Sequence, residues 1–269
     1  MKPVRLLVIG DPHGSEKLTK LDLRGYDAAI VTGDMGKADL MRSIALGKTK
    51  PKKNSERDSF MQSVGSAIPV MKHISSIPTF CVYGNVETSD EHLSEINRKF
   101  HSKIPLFGKE LSRMGNVYVL DHAAAKFKGI TIAGLGYFLE TRWVQEFSES
   151  PDIIQMLAAA IDESAAREFF NAVGKVDIML THQPPYGVLD IVKERFVPKK
   201  WKGKHAGSVM LLDYIKKYHP RYVICGHVHE DRGIRKIGKT TVINAGCCGS
   251  WQRLIVGKQQ HCHSVRVAR

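Results

Sequence analysis

The sequence predicts an α/β fold in which two mixed sheets are flanked by helices, and three observations carry that prediction. Short apolar runs recur along the chain and each breaks on a glycine, aspartate, asparagine or histidine. Segments with helical spacing lie between them, the rhythm of a largely parallel sheet layered with helices. Two stretches, one central and one late, instead carry closely spaced strand-like runs, which supply a second sheet.

Taken in order, Val4 to Ile9 is a compact apolar run ending in Gly10-Asp11-Pro12-His13-Gly14, a buried strand entering a loop. Asp27 to Val31 repeats this before Thr32-Gly33-Asp34, and Pro78 to Tyr83 before Gly84-Asn85. Val176 to Leu180 ends in Thr181-His182, and Arg221 to Cys225 in Gly226-His227-Val228-His229. Asp58 to Ser76 has helical character with a break expected at Pro69. Ser89 to Phe100 carries a start signal and apolar spacing at Leu93, Ile96 and Phe100. Asp152 to Val173 puts Ile154, Leu157, Ile161, Ala165 and Phe169 on one face and stops at Gly174, while Ser208 caps a helix whose Leu211, Leu212, Ile215 and Tyr218 face inward. Val117 to Gly134 reads as a hairpin turned at Lys128-Gly129; Gly233 to Ile237, Thr241 to Asn244 and His263 to Val267 read as strands. Met35 to Asn54 has the weakest signal and reads as a flap or a solvated insertion.

A chain of 269 residues with 43% hydrophobic and 25% charged residues is an ordinary globular composition, read as a single domain over 1–269. No apolar run spans a bilayer and no signal-peptide pattern opens the chain, so a cytoplasmic protein without a membrane partner is expected. Five cysteines (Cys81, Cys225, Cys247, Cys248, Cys262) without Cys-x-x-Cys spacing exclude a disulfide framework or zinc ribbon, and Cys81 and Cys225 read as buried free thiols. The net charge of +13 favours anionic partners, although the lysine clusters at 48–53 and 199–204 resemble solvated loops rather than nucleic-acid-reading helices. Nothing in the sequence speaks to oligomeric state.

In open α/β sheets ligands collect at the carboxyl ends of strands. Five strand ends here offer oxygen or imidazole donors: Asp11 and His13, Asp34, Asn85, His182, then His227 and His229. Each alone is ordinary turn chemistry, but together they describe a centre for two divalent ions. Mixed oxygen and imidazole donors suit first-row ions, Mn foremost with Fe, Zn or Ni as alternatives. Asp34 can bridge the pair, and the ions would activate water as the hydroxide nucleophile that attacks a phosphoryl group.

Asp11-x-His13, Gly33-Asp34, Gly84-Asn85, His182 and Gly226-His227-x-His229 resemble the calcineurin-like metallophosphoesterases, and the stretches Thr181 to Gly187 and Ile224 to Glu230 look like those of the small prokaryotic Icc-like phosphohydrolases. The resemblance implies a four-layer αββα sandwich. It implies further that Asp11, His13 and His229 hold one metal, that Asn85, His182 and His227 hold the other, and that Asp34 bridges. The chain departs from the protein Ser/Thr phosphatases of that superfamily at Gly33-Asp34-Met35-Gly36, and from the usual Gly-Asn-His-Asp/Glu at Gly84-Asn85-Val86-Glu87. Val86 cannot donate a proton, and losing a general acid forfeits roughly two to four orders of magnitude. His205, in a glycine-bearing loop before a helix, is the candidate replacement; Glu87 reads as a helix-start residue. The expected function is hydrolysis of small phosphodiesters or phosphomonoesters. A catalytically weakened metal-binding scaffold is the alternative, and a nuclease ranks below it.

Overall fold

The structure is a computed structural model that describes residues 2–45, 47–148, 150–193, 197–257 and 266–267. The chain forms two compact units, one of residues up to Val119 together with those from Cys247 onward, the other Leu120–Gly246. Each is built on one mixed six-stranded sheet with helices beside it.

In the first unit the expected runs become strands β1 (Val4–Ile9), β2 (Ala28–Val31) and β3 (Thr79–Cys81), parallel neighbours with Ile9 beside Val31 and Val31 beside Cys81. Strands β2 and β3 are buried throughout, which explains unbroken apolar runs in place of alternation. Beyond β3 lies β4 (Val117–Val119); beyond β1 lie the antiparallel β11 (Trp251–Val256) and β12 (Arg266–Val267). The expected hairpin therefore loses its first run, because β4 pairs with β3 here. Strand β11 was not anticipated, and of the expected His263 to Val267 strand only 266–267 falls within the described residues.

Four helices serve this sheet: α1 (Asp39–Ala45), α2 (Ser55–Ile74), α3 (Asp90–Phe100) and α4 (Phe107–Arg113). Val64, Ala67, Met71 and Ile74 of α2 with Leu93 and Ile96 of α3 pack on Leu7, Ile9, Ala29 and Val31. Each such large side chain contributes about 1.5–3 kcal/mol relative to exposure. The break expected at Pro69 does not occur. Pro69 and Gly65, whose carbonyl loses its intrahelical donor, both face solvent, while Val70, Met71 and Ile74 hold the next turn in the core. The 35–54 segment is not a bare insertion either: it contains α1, whose Leu40 N–H donates to Gln62 Oε1 on α2 at 3.2 Å, although the lysines at 48, 50, 52 and 53 are exposed as expected.

The second unit contains β5 (Ala123–Phe127), β6 (Ile130–Leu135), β7 (Ile178–Thr181), β8 (Tyr222–Cys225), β9 (Gly233–Ile237) and β10 (Thr240–Asn244), ordered β5-β6-β7-β8-β10-β9. The β5–β6 hairpin turns at Lys128-Gly129, where both φ angles are positive. Its helices are α5 (Thr141–Phe147), α6 (Ile153–Val173) and α7 (Val209–Tyr218). Ser208 caps α7 by accepting from Leu211 N–H at 3.0 Å, and Asp152 with Gln155 forms a capping box on α6.

Helix α6 turns most of its expected apolar face outward, Phe169 alone of that set being buried. Ala159, Ala166, Phe169 and Phe170 face inward, whereas Ile154, Leu157 and Ile161 are 74%, 61% and 62% exposed. The inward face includes two carboxylates with work to do: Asp162 accepts from Leu139 N–H, and Glu163 accepts from the N–H and hydroxyl of Thr141 at the start of α5. Those donors would otherwise be orphans of a helix N-terminus. No helix of the described residues is long and apolar enough to cross a membrane.

Candidate metal centre

Because β1, β2 and β3 are adjacent and parallel, their carboxyl ends deliver Asp11, Asp34 and Asn85 to one edge of the first unit. Asp11 is fully buried, its Oδ1 accepting from the Thr32 hydroxyl at 2.5 Å while Thr32 Oγ1 accepts from the Asp11 N–H at 3.0 Å. His13 N–H donates to Asp34 O at 2.9 Å and Gly14 N–H to Met35 O at 2.8 Å, so the two ligand loops are laced together. His13 Nδ1 lies 3.1 Å from Gly36 O. A carbonyl only accepts, so Nδ1 carries a proton, and Nε2, 3.7 Å from Asp34 Oδ2, is the ring nitrogen left for a metal.

Both His13 (φ 43°) and Asp34 (φ 46°) sit in the left-handed region, at a cost of about 1–3 kcal/mol each that surrounding contacts must offset. Part of the hold comes from close packing: a Cβ on Gly36 would meet the Ser63 carbonyl oxygen at 2.3 Å. More comes from Glu87. Its Oε2 accepts from Gly84 N–H at 2.7 Å and Asp34 N–H at 2.9 Å, and its Oε1 from Met35 N–H at 2.7 Å. Glu87 is thus a clamp on the Asp34 loop rather than a helix-start residue, since α3 begins at Asp90 with Ser89 as its cap. The Val86 N–H joins in by donating to Asp34 Oδ1 at 2.9 Å. The Val86 side chain is buried among Phe60, Val64, Ala67, Leu93 and Phe107.

In the second unit β7 and β8 are parallel neighbours and present His182 and His227. Gly226 N–H donates to His182 O at 2.9 Å, and His182 Nε2 stands 3.2 Å from His227 Nδ1. His227 adopts φ 65°, and His229 opens the short 3-10 turn His229–Asp231. Tyr137, which lies in none of the motifs, packs its ring 5.9 Å from His182 and 5.6 Å from His227. Asn244 fastens this region, its amide donating to Val228 O at 2.8 Å and Leu189 O at 3.1 Å. Burial works against ionised Asp231, but hydrogen bonds from Lys193 Nζ and the Ile191 N–H prevail and hold its carboxyl below the usual range.

The structure therefore brings together Asp11, His13 and Asp34, whose ligand atoms lie within 4.8 Å of one another. Separately it brings together His182 and His227, with His229 two residues on, and it leaves Asn85 exposed at the end of β3. His205 is not a loose loop residue: it bridges antiparallel to Ile191, and its Nδ1 lies 2.7 Å from buried Asp190. Thr32 and Asp190 carried no sequence signal of their own beyond proximity to the motifs, and Glu87 occupies the Asp/Glu place of its motif without any sign of its backbone partners. Cys81 and Cys225 are buried free thiols, as expected, and burial together with the nearby Glu87 charge pushes the Cys81 thiol up. Cys247 is pushed up by its hydrogen bond with Cys248 and by burial; Cys262 lies outside the described residues.

The donor sets fit divalent metal ions. Two ligands at about 2.0–2.1 Å from one ion, subtending about 90–110°, stand about 2.9–3.4 Å apart, and the imidazole nitrogens of His182 and His227 are 3.2 Å apart. His13, its Nδ1 engaged by the Gly36 carbonyl, turns Nε2 toward Asp34, the orientation that ligation requires.

The human metallophosphoesterase domain-containing protein 1 is 42% identical over 74 residues, 27% of this chain and 21% of that protein, so the match spans about a fifth of that relative's length. Among solved structures, the phosphopantetheinyl hydrolase of Mycobacterium tuberculosis has a TM-score of 0.55 at 12% identity, covering 99% of this chain and 96% of its own. A dimetal phosphatase from Danio rerio has a TM-score of 0.54 at 11% identity, covering 95% and 93%. At such identities these likenesses speak for the fold. The family model for calcineurin-like phosphoesterases matches residues 4–231, and with the ligand motifs in that span the chain belongs to the calcineurin-like phosphoesterase family.

Proposed function

We propose that this chain hydrolyses small phosphodiesters or phosphomonoesters with two divalent ions held by Asp11, His13, Asp34, Asn85, His182, His227 and His229. The observation that carries the proposal is the prepared state of the ligands: a protonated Nδ1 on His13 with Nε2 directed to Asp34, and two imidazole nitrogens 3.2 Å apart at His182 and His227. The family model runs across both compact units, which supports reading 1–269 as one functional domain. Mn is the ion of choice for this mixed oxygen and nitrogen set.

When bound, such ions supply Lewis acidity, which makes water nucleophilic near neutral pH and draws charge from phosphoryl oxygens. The chain's own groups do the rest. Thr32, Gly36 and Glu87 fix the orientation of Asp11, His13 and Asp34. The net charge of +13 raises the local concentration of anionic esters. One P–O bond forms from water, whose proton passes to solvent, and the ester P–O bond breaks, the departing oxygen keeping the electron pair. His205 Nε2 gives that oxygen its proton and is reprotonated from solvent. A cytoplasmic location belongs to the same proposal and is checked by cell fractionation.

The full chain loaded with Mn is assayed on bis(p-nitrophenyl) phosphate and p-nitrophenyl phosphate beside Asp34→Asn. Hydrolysis of at least one ester is expected, with the variant and an EDTA-treated sample at background. If wild type cleaves neither ester faster than Asp34→Asn, the proposal is wrong.

A further inference from the structure

We infer that Asp190 is a positioning residue that orients His205, so that the two form an aspartate–histidine dyad serving the ligand loops of the second unit. The inference rests on the proposed role of His205 as proton donor and adds what makes that role possible. Asp190 is 0% exposed, and its carboxylate is fully engaged: Oδ2 accepts from Gly187 N–H at 2.9 Å and Gly207 N–H at 3.1 Å, while Oδ1 faces His205 Nδ1 at 2.7 Å. A carboxylate in that position selects the Nδ1–H tautomer and stabilises the imidazolium when Nε2 is protonated. Nε2 then points away from Asp190, and among the described residues it has no hydrogen-bond partner. The side chain is 36% exposed, so it can meet a ligand.

The surrounding backbone ties this dyad to the ligand loops. Next to Asp190, Ile191 N–H donates to Asp231 Oδ2 at 3.0 Å, two residues beyond His229. Leu189 O shares the Asn244 amide with Val228 O, between His227 and His229. On the other side of His205, Ser208 N–H donates to Pro184 O at 2.8 Å and Tyr186 N–H to Ser208 O at 2.9 Å, joining the loop to the one that begins at His182. The 203–206 segment pairs with 190–192 through Gly203 N–H to Val192 O and Ala206 N–H to Asp190 O, both 2.9 Å. A Cβ on Gly207 would strike the Pro185 carbonyl at 2.7 Å, so the approach of these loops is close. A loop fastener needs only the two backbone donors that Asp190 already accepts. The third contact, to an imidazole open to solvent, asks for a further purpose.

Other groups facing the imidazole are few: the Tyr186 ring at 5.1 Å, and Arg142, whose Nη1 lies 3.5 Å from His205 O and whose guanidinium covers the Tyr186 ring at 4.7 Å.

The test compares wild type, His205→Gln and Asp190→Asn on an alkyl aryl phosphodiester whose alkoxide is a poor leaving group and on a bis-aryl diester. Asp190→Asn is expected to lower kcat for alkoxide departure about 10- to 100-fold, part of the roughly 10²–10⁴ a general acid supplies, with KM within about twofold and a smaller loss on the aryl ester. Independently, imidazole 15N correlation spectra of the zinc-loaded wild type should show His205 in the Nδ1–H tautomer. An Nε2–H tautomer overturns the inference without any variant, even if Asp190→Asn fails to fold. Unchanged alkoxide departure in His205→Gln defeats the acid role itself. A loss in His205→Gln with none in a folded Asp190→Asn defeats only the dyad.

Discussion

Glu87→Gln isolates the clamp on the Asp34 loop. The carboxylate accepts three backbone N–H bonds, two at Oε2 from Gly84 and Asp34 and one at Oε1 from Met35. The amide can keep its oxygen at the Oε2 position, but its NH2 then opposes the Met35 N–H. That donor is left unsatisfied, at about 1–3 kcal/mol. The two surviving bonds lose their charge assistance and roughly half their strength, about 1 kcal/mol each. The sum is about 3–5 kcal/mol, or a fall in melting temperature of about 6–20 °C at about 2–4 °C per kcal/mol. Asp34 is meanwhile held at φ 46°, so a looser clamp lets the loop relax away from its ligand geometry. Metal affinity should fall about 10- to 100-fold, the usual effect of losing a group that orients a ligand. Differential scanning calorimetry of the metal-free protein reads the first effect and Mn titration calorimetry the second. A variant melting within about 1 °C of wild type and binding Mn within about twofold would refute this account of Glu87.

Val86→His should lower stability by about 1–3 kcal/mol and give no gain in alkoxide departure, because the side chain is buried against Phe60, Val64 and Phe107; urea melts with the alkyl ester assay check both. Ile161→Lys, at a position 62% exposed on α6, should change stability by less than about 0.5 kcal/mol, whereas Ala166→Leu on the inward face should cost about 1–3 kcal/mol in the same melts. Iodoacetamide at pH 8 should label exposed Cys248 and spare Cys81 and Cys225 until denaturant is added, as peptide mass mapping will show.

The five motif-bearing strands were legible because a strand buried on both faces must be an unbroken apolar run, and because the chain turns sharply at each end. Candidate ligands were legible for the same reason, since Asp11, Asp34 and His227 sit where such strands stop. What stayed hidden depends on partners distant in sequence. Spacing on α6 shows that an apolar face exists, but Asp162 and Glu163 are drawn inward by the N–H groups of Leu139 and Thr141. Strand β4 read as half of a hairpin because its true neighbour, β3, lies some forty residues earlier. Glu87 and Asp190 act through backbone donors of other loops, and no local pattern announces which carboxylate will find them.

The pairing of β11 with β1, register Ile9 to Trp251, has a consequence for the growing polypeptide. At a synthesis rate of about 5–20 residues per second, on the order of ten to fifty seconds pass between the emergence of these two strands from the ribosome. Over that interval the outer edge of β1 lacks its partner, an open ladder of the kind that invites pairing with other chains. The second unit, continuous from Leu120 to Gly246, has emerged whole before β11 does. The half that carries Asp11, His13 and Asp34 is therefore completed last, and shielding of nascent β1 is where a chaperone would have most to contribute.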